Sequence, residues 1–274
     1  MRRLTPVLSR LFGSFAAKKF PKPIQSFINS SYVFFLKVDL KEFKKPSKYE
    51  SLNALFTRAL ERPRELEGGI EDLISPCDSE VIISNEIKKE TILQIKGMEY
   101  RVDELLSDFT TLKRLSLLQN GQYINLYLSP KDYHRYHAPC RMKILEAHYI
   151  PGVLYPVNKK WLNKKESLFP LNERVVLYCK NAFESYFYMV FIGALNVGKM
   201  SFNFDERIKT NLKNKVASYY TYKDIWVEKG DELGMFEMGS TIVLLLEKGG
   251  FSVGLKDGQK ISFGQIVGKG LKSD

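Results

Sequence analysis

From residue 75 to residue 267, the sequence is a succession of short runs rich in β-branched and aromatic residues, separated by glycines and other turn formers. Such runs are typical of β-strands. They are Val81–Ser84, Thr91–Ile95, Tyr123–Leu128, Ile144–Ile150, Arg174–Tyr178, Phe187–Ile192, Thr241–Leu246 and Ser262–Val267. The strands do not alternate with helical segments in the way that builds a doubly wound parallel sheet. This part of the chain therefore predicts a mainly antiparallel β domain.

The beginning of the chain instead predicts helices. Apolar residues between positions 4 and 16 recur at helical spacing among arginines, as in a basic amphipathic helix that lies either on a lipid surface or on the protein core. A second short helix is predicted after Pro23, and a third over Ser51–Leu60, with Ser51 as its N-cap.

Together these parts predict an α+β fold, with amphipathic helices in residues 1–70 and a mainly antiparallel β-rich domain in residues 71–274. Lys and Arg number 42 against 31 Asp and Glu, and the net charge of +11 favours an anionic partner: a membrane surface, an acidic small molecule or nucleic acid. No motif of a nucleic-acid-binding fold is present, so we expect no nucleic acid partner.

The cysteines and the apolar stretches indicate the compartment. Cys77, Cys140 and Cys179 form no close pair, which argues against a disulfide framework or a zinc finger and predicts free thiols in a reducing compartment. No apolar stretch approaches the roughly 20 residues that a spanning helix needs. The N-terminus also lacks the apolar centre of a secretory signal. We therefore expect a cytoplasmic location.

Two of the three histidines lie in one segment, residues 129–139, which reads SPKDYHRYHAP. The spacing of His134 and His137 is compatible with both imidazoles lying on one side of a helical turn, and a pair flanked by Tyr, Arg and Pro points to a functional role. The third, His148, lies in a predicted strand. No HExxH motif and no carboxylate at metal-ligand spacing accompanies them, so no metal site is predicted.

Two further segments carry candidate reactive groups. Residues 229–243 read KGDELGMFEMGSTIV, in which Gly239 tolerates a strained turn that would help the Ser240 hydroxyl attack the carbonyl before it. By itself this is more often a hairpin turn, and the GxSxG elbow of hydrolases does not match. Residues 74–81 read ISPCDSEV and place Asp78 before a strand, where alone it would open a turn.

In this order, the three segments resemble the bacterial, pyruvoyl-dependent phosphatidylserine decarboxylase proenzyme family along essentially the whole chain. The family's motifs are Pro-x-Asp-Gly, Pro-x-Asp-Tyr-His-Arg-x-His-x-Pro and Gly-Ser-Thr, the last usually preceded by Leu. Further matches are FTR at 56–58, PGVLYPVN at 151–158, NER at 172–174 and NVG at 196–198. Two positions depart from the pattern, since Ser79 replaces Gly and Met238 replaces Leu. Met for Leu nearly conserves volume, but Ser79 would be strained if its position required a positive φ.

The resemblance implies that the chain cuts itself between Gly239 and Ser240. His137 would be the general base that takes the Ser240 proton, and Asp78 would orient His137 as in a Ser-His-Asp triad. Ser240 would become a pyruvoyl group, the covalent cofactor. Fragments 1–239 and 240–274 would remain associated as a heterodimer, and further dimerisation is left open.

The resemblance also implies a reaction and a location. The pyruvoyl carbonyl would form a Schiff base with the amine of phosphatidylserine, and loss of CO₂ would give phosphatidylethanolamine. His134 would serve this step as proton donor or by positioning the substrate carboxylate. Because the substrate lies in an anionic membrane, residues 4–16 are then interpreted as a docking helix at the cytoplasmic face of the cell membrane, and residues 1–70 as a membrane-associating segment. The lysines around Trp161 either join this face or lie in a solvated loop.

The residues alone leave two other functions open. One is a pyruvoyl decarboxylase of a soluble amino acid, which the His-Arg-x-His segment and the N-terminal helix argue against. The other is a non-catalytic, basic, β-rich binding protein in which Gly239 and Ser240 form an ordinary turn.

Overall fold

The computed structural model of the chain describes residues 12–95, 97–195, 199–212, 216–237 and 240–271. Residues 12–17 are helical. The further α-helices are α1 (Lys22–Leu36), α2 (Leu52–Phe56), α3 (Val102–Leu106), α4 (Leu112–Leu118), α5 (Lys159–Leu162) and α6 (Leu168–Leu171). The predicted helix over residues 4–16 lies partly outside the described residues.

Strands dominate after residue 72. They are β1 (Leu73–Ile74), β2 (Ser79–Glu86), β3 (Thr91–Ile95), β4 (Met98–Arg101), β5 (Gln122–Tyr127), β6 (Arg135–His137), β7 (Met142–Ile150), β8 (Arg174–Asn181), β9 (Tyr186–Ile192), β10 (Met200–Phe202), β11 (Ser218–Val227), β12 (Glu232–Phe236), β13 (Thr241–Leu246), β14 (Phe251–Val253), β15 (Lys260–Ile261) and β16 (Ile266–Gly270). N-terminal helices followed by antiparallel strands confirm the predicted α+β fold.

An eight-stranded antiparallel sheet organises the β-rich part, in the order β11-β7-β8-β9-β13-β5-β2-β15. Strand β13 lies near its middle, and all six of its residues are buried. Because side chains alternate along a strand, Ile242 and Leu244 join the core on one face of the sheet, and Val243 and Leu245 join the core on the other. A strand buried on both faces reads as a continuous apolar run, as this one does.

A three-stranded sheet, β10-β12-β6, carries the histidine segment beside the main sheet. A small cluster of Phe43, Ile74, Tyr133 and Phe263 joins the N-terminal segment to the β-rich part. The division at residue 70 stays a prediction. All three cysteines are buried with free thiols, as predicted.

Several predicted boundaries were wrong. Residues 262–265, predicted as strand, form a turn between β15 and β16. Helix α2 begins at its predicted N-cap, where the Ser51 hydroxyl accepts a hydrogen bond from the Ala54 amide at 3.0 Å, but it ends at Phe56. The Thr57 hydroxyl bonds back to the Asn53 carbonyl at 2.9 Å, and the chain then turns away. Helix α1 is longer than the short helix that was predicted after Pro23.

Candidate functional site

Ser240 lies immediately before β13, at the end of the central sheet. Its carbonyl accepts a hydrogen bond from the Leu128 amide at 2.8 Å, which extends the pairing of β13 with β5 by one residue. Its side chain is completely buried, and its Oγ has no hydrogen-bond partner among the described residues. Such an orphaned hydroxyl in a protein interior is uncommon and calls for an explanation. Met238 and Gly239 lie outside the described residues.

The two motif histidines lie in an extended segment and not in the helical turn that their spacing also allowed. His134 precedes β6 and His137 ends it, so their odd spacing directs them to opposite faces. Strand β6 pairs with β12, and the His134 carbonyl accepts a hydrogen bond from the Phe236 amide at 2.9 Å. His134 therefore anchors the chain before residues 237–239, while Leu128 anchors it after them, at Ser240.

His134 is a buried, neutral imidazole. Its Nδ1 lies 2.8 Å from the Asp132 carbonyl, which only accepts, so Nδ1 carries the proton. Its ring packs against Phe56 with centroids 4.0 Å apart, and Nε2 has no partner among the described residues. Burial, helped by the nearby Arg58 cation, lowers the pKa of His134 to about 3. The imidazole thus presents a free lone pair at neutral pH.

His137 is held on both nitrogens and on one ring face. Its Nδ1 donates to the Gly230 carbonyl at 2.8 Å, and its Nε2 accepts from the Tyr133 hydroxyl at 3.0 Å. The Phe263 ring stacks on the imidazole with centroids 3.6 Å apart. Burial lowers the pKa of His137, and the hydrogen bond to Gly230 opposes this shift. His137 is therefore also neutral near pH 7.

Asp78 lies just before β2 and forms a bidentate ion pair with Arg64, at 2.5 and 3.0 Å. One of its oxygens also accepts from the Phe263 amide at 2.8 Å. Since both nitrogens of His137 are engaged elsewhere, Asp78 reaches that histidine through Phe263 and not by the direct bond that a Ser-His-Asp triad shows. Ser79 begins β2 and is absent from the described residues with positive φ, so serine is not strained there.

The sequence did not single out several residues that shape this site. Tyr133 lies inside the histidine motif, which was the one available signal. Phe263 and Arg64 are remote in sequence from the histidines they influence, and only the tertiary structure brings them there.

Comparison with known proteins shows which family the chain resembles. A family model described as phosphatidylserine decarboxylase matches residues 52–269. The phosphatidylserine decarboxylase proenzyme of Campylobacter jejuni is 49% identical over 265 residues, covering 94% of this chain and 97% of that protein. The proenzyme of Helicobacter pylori is 47% identical over 270 residues, covering 98% of each chain. That of Brevibacillus brevis is 33% identical over 270 residues, covering 95% of this chain and 92% of that protein.

The chain belongs to the phosphatidylserine decarboxylase family. It is the proenzyme of a carboxy-lyase that cleaves itself, carries a pyruvoyl group derived from serine and converts phosphatidylserine to phosphatidylethanolamine. The two alternative functions are thereby excluded.

The residues present fit the pyruvoyl group of a phosphatidylserine decarboxylase. The group needs a serine whose hydroxyl is not committed to another bond, in a place that excludes water, and the buried, unpartnered Oγ of Ser240 meets both conditions. On the neighbouring segment, the buried His134 has an Nε2 without a partner among the described residues, and such a nitrogen is able to accept a proton.

An apolar groove of about 400 Å³ opens beside this site of the decarboxylase. Tyr32 and Leu36 of α1 line it, as do Phe56 and Leu128. Phe56 also contacts His134, and Leu128 is bonded to Ser240. The groove therefore adjoins residues that contact His134 and Ser240.

Proposed function

We propose that Ser240 is the nucleophile of self-cleavage, that His137 is its general base, and that His134 serves decarboxylation. The observation that carries this proposal is the buried Ser240 Oγ, which has no hydrogen-bond partner among the described residues. Both histidines are neutral at pH 7 because burial lowers their pKa values, so each can accept a proton.

In the proposed cleavage, the Ser240 oxygen attacks the Gly239 carbonyl carbon. The acyl group moves from the Ser240 nitrogen to its oxygen, while His137 takes the hydroxyl proton and returns it to the amine. Loss of the Ser240 α-proton then breaks the Cβ–O bond, and Gly239 leaves as a carboxylate. The remaining dehydroalanine is hydrolysed to the pyruvoyl group and ammonia.

The hydrogen bonds of His137 set a condition on this role. Because Nδ1 donates to Gly230, Nε2 is the nitrogen that accepts, and the Tyr133 hydroxyl already occupies it. Tyr133 must therefore pass the Ser240 proton on or give up its bond. The free Nε2 of His134 makes that residue the alternative base, and separate variants of the two histidines distinguish them.

For turnover, the pyruvoyl group supplies an electron sink for the electron pair left when CO₂ departs. A substrate carboxylate beside His134 Nε2 would raise the low pKa of that imidazole and let it hold a proton. After CO₂ leaves, His134 would deliver this proton to the substrate α-carbon. The surrounding burial excludes bulk water from the competing proton transfer.

We also propose that fragments 1–239 and 240–274 remain associated. Strand β13 belongs to the smaller fragment, and it pairs along its whole length with β5 on one side and β9 on the other. Its residues Ile242, Leu244 and Leu246 pack in one core, and Val243 and Leu245 pack in the other. Removing it would expose this apolar surface, so cutting the preceding bond leaves a stable heterodimer.

We further propose that the enzyme binds the cytoplasmic face of the cell membrane through α1. Among the described residues, no helix is long and apolar enough to cross a bilayer. Phe27, Phe34 and Phe35 of α1 are each more than 70% exposed. Tyr32 and Leu36 of the same helix line the groove. Residues 156–158, which also line the groove, are followed directly by the lysines of α5. This combination suits an anionic lipid surface.

The test is intact-mass spectrometry of the wild-type protein beside Ser240→Ala and Thr241→Val. Thr241 is a matched control because it is adjacent, buried and also has an unpartnered hydroxyl. Wild type and Thr241→Val should split after residue 239 and carry a pyruvoyl mass on the smaller fragment, while Ser240→Ala stays whole. Cleavage of Ser240→Ala at the same bond would overturn the proposal.

A further inference from the structure

Tyr32 of helix α1 contacts two parts of the structure that adjoin His134. Its hydroxyl donates a hydrogen bond to the Pro130 carbonyl at 2.7 Å. Burial of the side chain raises the pKa of Tyr32, so the hydroxyl keeps its proton and remains a donor. The ring also meets Phe56 edge-on, with centroids 6.5 Å apart, and the Phe56 ring centroid lies 4.0 Å from that of His134. Tyr32 is therefore linked to His134 both through the backbone and through a side chain.

The backbone link runs through a turn at residues 129–132, which is closed by two hydrogen bonds of its own. The Asp132 amide donates to the Ser129 carbonyl at 2.9 Å, and the Ser129 amide donates to the Asp132 carboxylate at 2.7 Å. The Asp132 carbonyl accepts the Nδ1 proton of His134 at 2.8 Å. Because this last bond fixes the tautomer and the orientation of the imidazole, the position of the turn determines that of His134.

The tip of this turn lies at the protein surface, where Pro130 and Lys131 are exposed. Exposed turns move more readily than the elements they connect, unless other parts of the protein hold them. The buried Arg58 donates to the carbonyls of Lys131 at 2.8 Å and Asp132 at 3.0 Å. Tyr32 adds the bond to Pro130, so side chains from outside the turn restrain it along its length.

Helix α1, which carries Tyr32, buries polar residues and exposes aromatic ones. Asn29 is completely buried, and its side-chain amide donates to the backbone carbonyls of Pro46 and Tyr49, at 3.0 Å each. The three phenylalanines of α1 described above are exposed. A surface helix of a soluble protein usually has the opposite arrangement. The Tyr32 bond therefore joins the turn to the helix that we place on the lipid surface.

We propose that Tyr32 is a positioning residue for decarboxylation, which holds the turn at residues 129–132, and with it His134, while α1 lies on the membrane. Water competes for a hydrogen bond at the surface, and lipid around α1 would exclude this competitor and strengthen the bond. Membrane binding would thus favour the conformation in which the turn holds His134 as observed. The inference rests on the roles proposed above for His134 and α1, and it adds that the two are coupled.

The first test uses Tyr32→Phe, which removes the hydroxyl and keeps the ring. Its matched control is Tyr220→Phe on β11, which removes a hydroxyl that donates to the Arg207 carbonyl at 3.1 Å. CO₂ release per cleaved molecule is measured over a range of phosphatidylserine contents in vesicles. We expect the kcat of Tyr32→Phe to fall by about tenfold, with KM and self-cleavage unchanged, because a lost hydrogen bond misplaces His134. Tyr220→Phe should match wild type.

Three results of this test would overturn the proposal. An unchanged kcat would show that turnover does not depend on the bond. A change confined to KM would show that Tyr32 instead contacts the substrate in the groove, which it also lines. Equal losses in the two variants would show a general effect of removing a tyrosine hydroxyl.

The coupling to the membrane is tested with a short-chain phosphatidylserine that stays monomeric in solution. Since α1 is then surrounded by water, wild type and Tyr32→Phe should differ by a smaller factor in kcat than they do on vesicles. The same factor on both substrates would overturn the coupling. Flotation with vesicles should be equal for the two proteins, and weaker flotation of the variant would mean that Tyr32 acts on membrane binding instead.

A double-mutant cycle separates this inference from the proposed role of His134. In the His134→Gln chain, Tyr32→Phe should not lower the remaining rate further, because the residue that Tyr32 positions is gone. An equal fractional loss in both backgrounds would overturn the positioning role and leave the role of His134 intact. Failure of the role of His134 would instead appear as full turnover of His134→Gln by itself.

Discussion

The ring of Phe263 lies almost parallel to the imidazole of His137, with centroids 3.6 Å apart and an angle of 14° between the planes. The backbone amide of the same Phe263 donates to Asp78, which in turn is fixed by Arg64. Asp78 therefore holds the backbone of the residue whose ring stacks on His137. We infer that the carboxylate orients the histidine through Phe263, without touching the imidazole ring.

Removing the aromatic ring that stacks on His137 should slow self-cleavage if His137 is the base. In Phe263→Leu the imidazole loses its flat support, and we expect a cleavage rate lower by about tenfold, because small misplacements of a base are costly. Cleavage is followed by mass spectrometry after refolding. Phe251→Leu is the control, since it makes the same change at a buried position in β14. Equal rates in the two variants would remove Phe263 from the mechanism.

Two assays should distinguish the proposed roles of His134 and His137. His134→Gln should still cleave itself but lose decarboxylation by about a hundredfold or more per cleaved molecule, the usual contribution of a general acid or base. His137→Gln should accumulate as uncleaved precursor. Mass spectrometry gives the cleaved fraction, and CO₂ release gives turnover. The reverse pattern, with His134→Gln uncleaved, would assign the cleavage step to the free Nε2 of His134.

The buried His134 should make stability depend on pH. Burial lowers the pKa of His134 in the folded chain to about 3, whereas its value in the unfolded chain is about 6.5. Between these two pH values the unfolded chain binds a proton at His134 and the folded chain does not. With respect to His134, the free energy of unfolding is therefore highest above pH 6.5, and it falls as the pH drops towards 3. The contribution of His134 to this slope is about 1 kcal/mol per pH unit between pH 6 and 5.

The slope is measured by urea unfolding of the non-cleaving Ser240→Ala chain with and without His134→Gln. The other titrating groups are common to both proteins, so the difference between the two slopes reports His134. Parallel slopes would show that His134 titrates normally in the folded chain.

Membrane binding should depend on the exposed phenylalanines of α1. Replacing Phe34 and Phe35 by Ser should lower binding to anionic vesicles by at least about tenfold, because each buried aromatic side chain contributes on the order of 1.5–3 kcal/mol. Flotation measures the bound fraction. A double Ser variant at Leu112 and Phe183, which are exposed elsewhere, should bind like wild type. Equal loss in both double variants would show a nonspecific apolar effect.

Local pattern was sufficient for much of the architecture. Thr91–Ile95 and Thr241–Leu246 were predicted with the bounds observed, because their β-branched and apolar residues lie between clear turn signals. The partly exposed edge strand Ser218–Val227 was not predicted, since its polar and aromatic residues give no continuous apolar signal. The spacing of the two motif histidines also allowed a helical turn, but the segment forms a strand because it pairs with β12.

The sequence by itself determined the α+β class, the family and the motif residues Asp78, His134, His137 and Ser240, because these depend on residue types at fixed local spacing. Only the tertiary structure decided how those residues are connected. Asp78 is paired with Arg64, and His137 is stacked on Phe263. Such contacts join segments that are distant in the chain. The lowered pKa values of His134 and His137 arise mainly from burial, which no local pattern encodes.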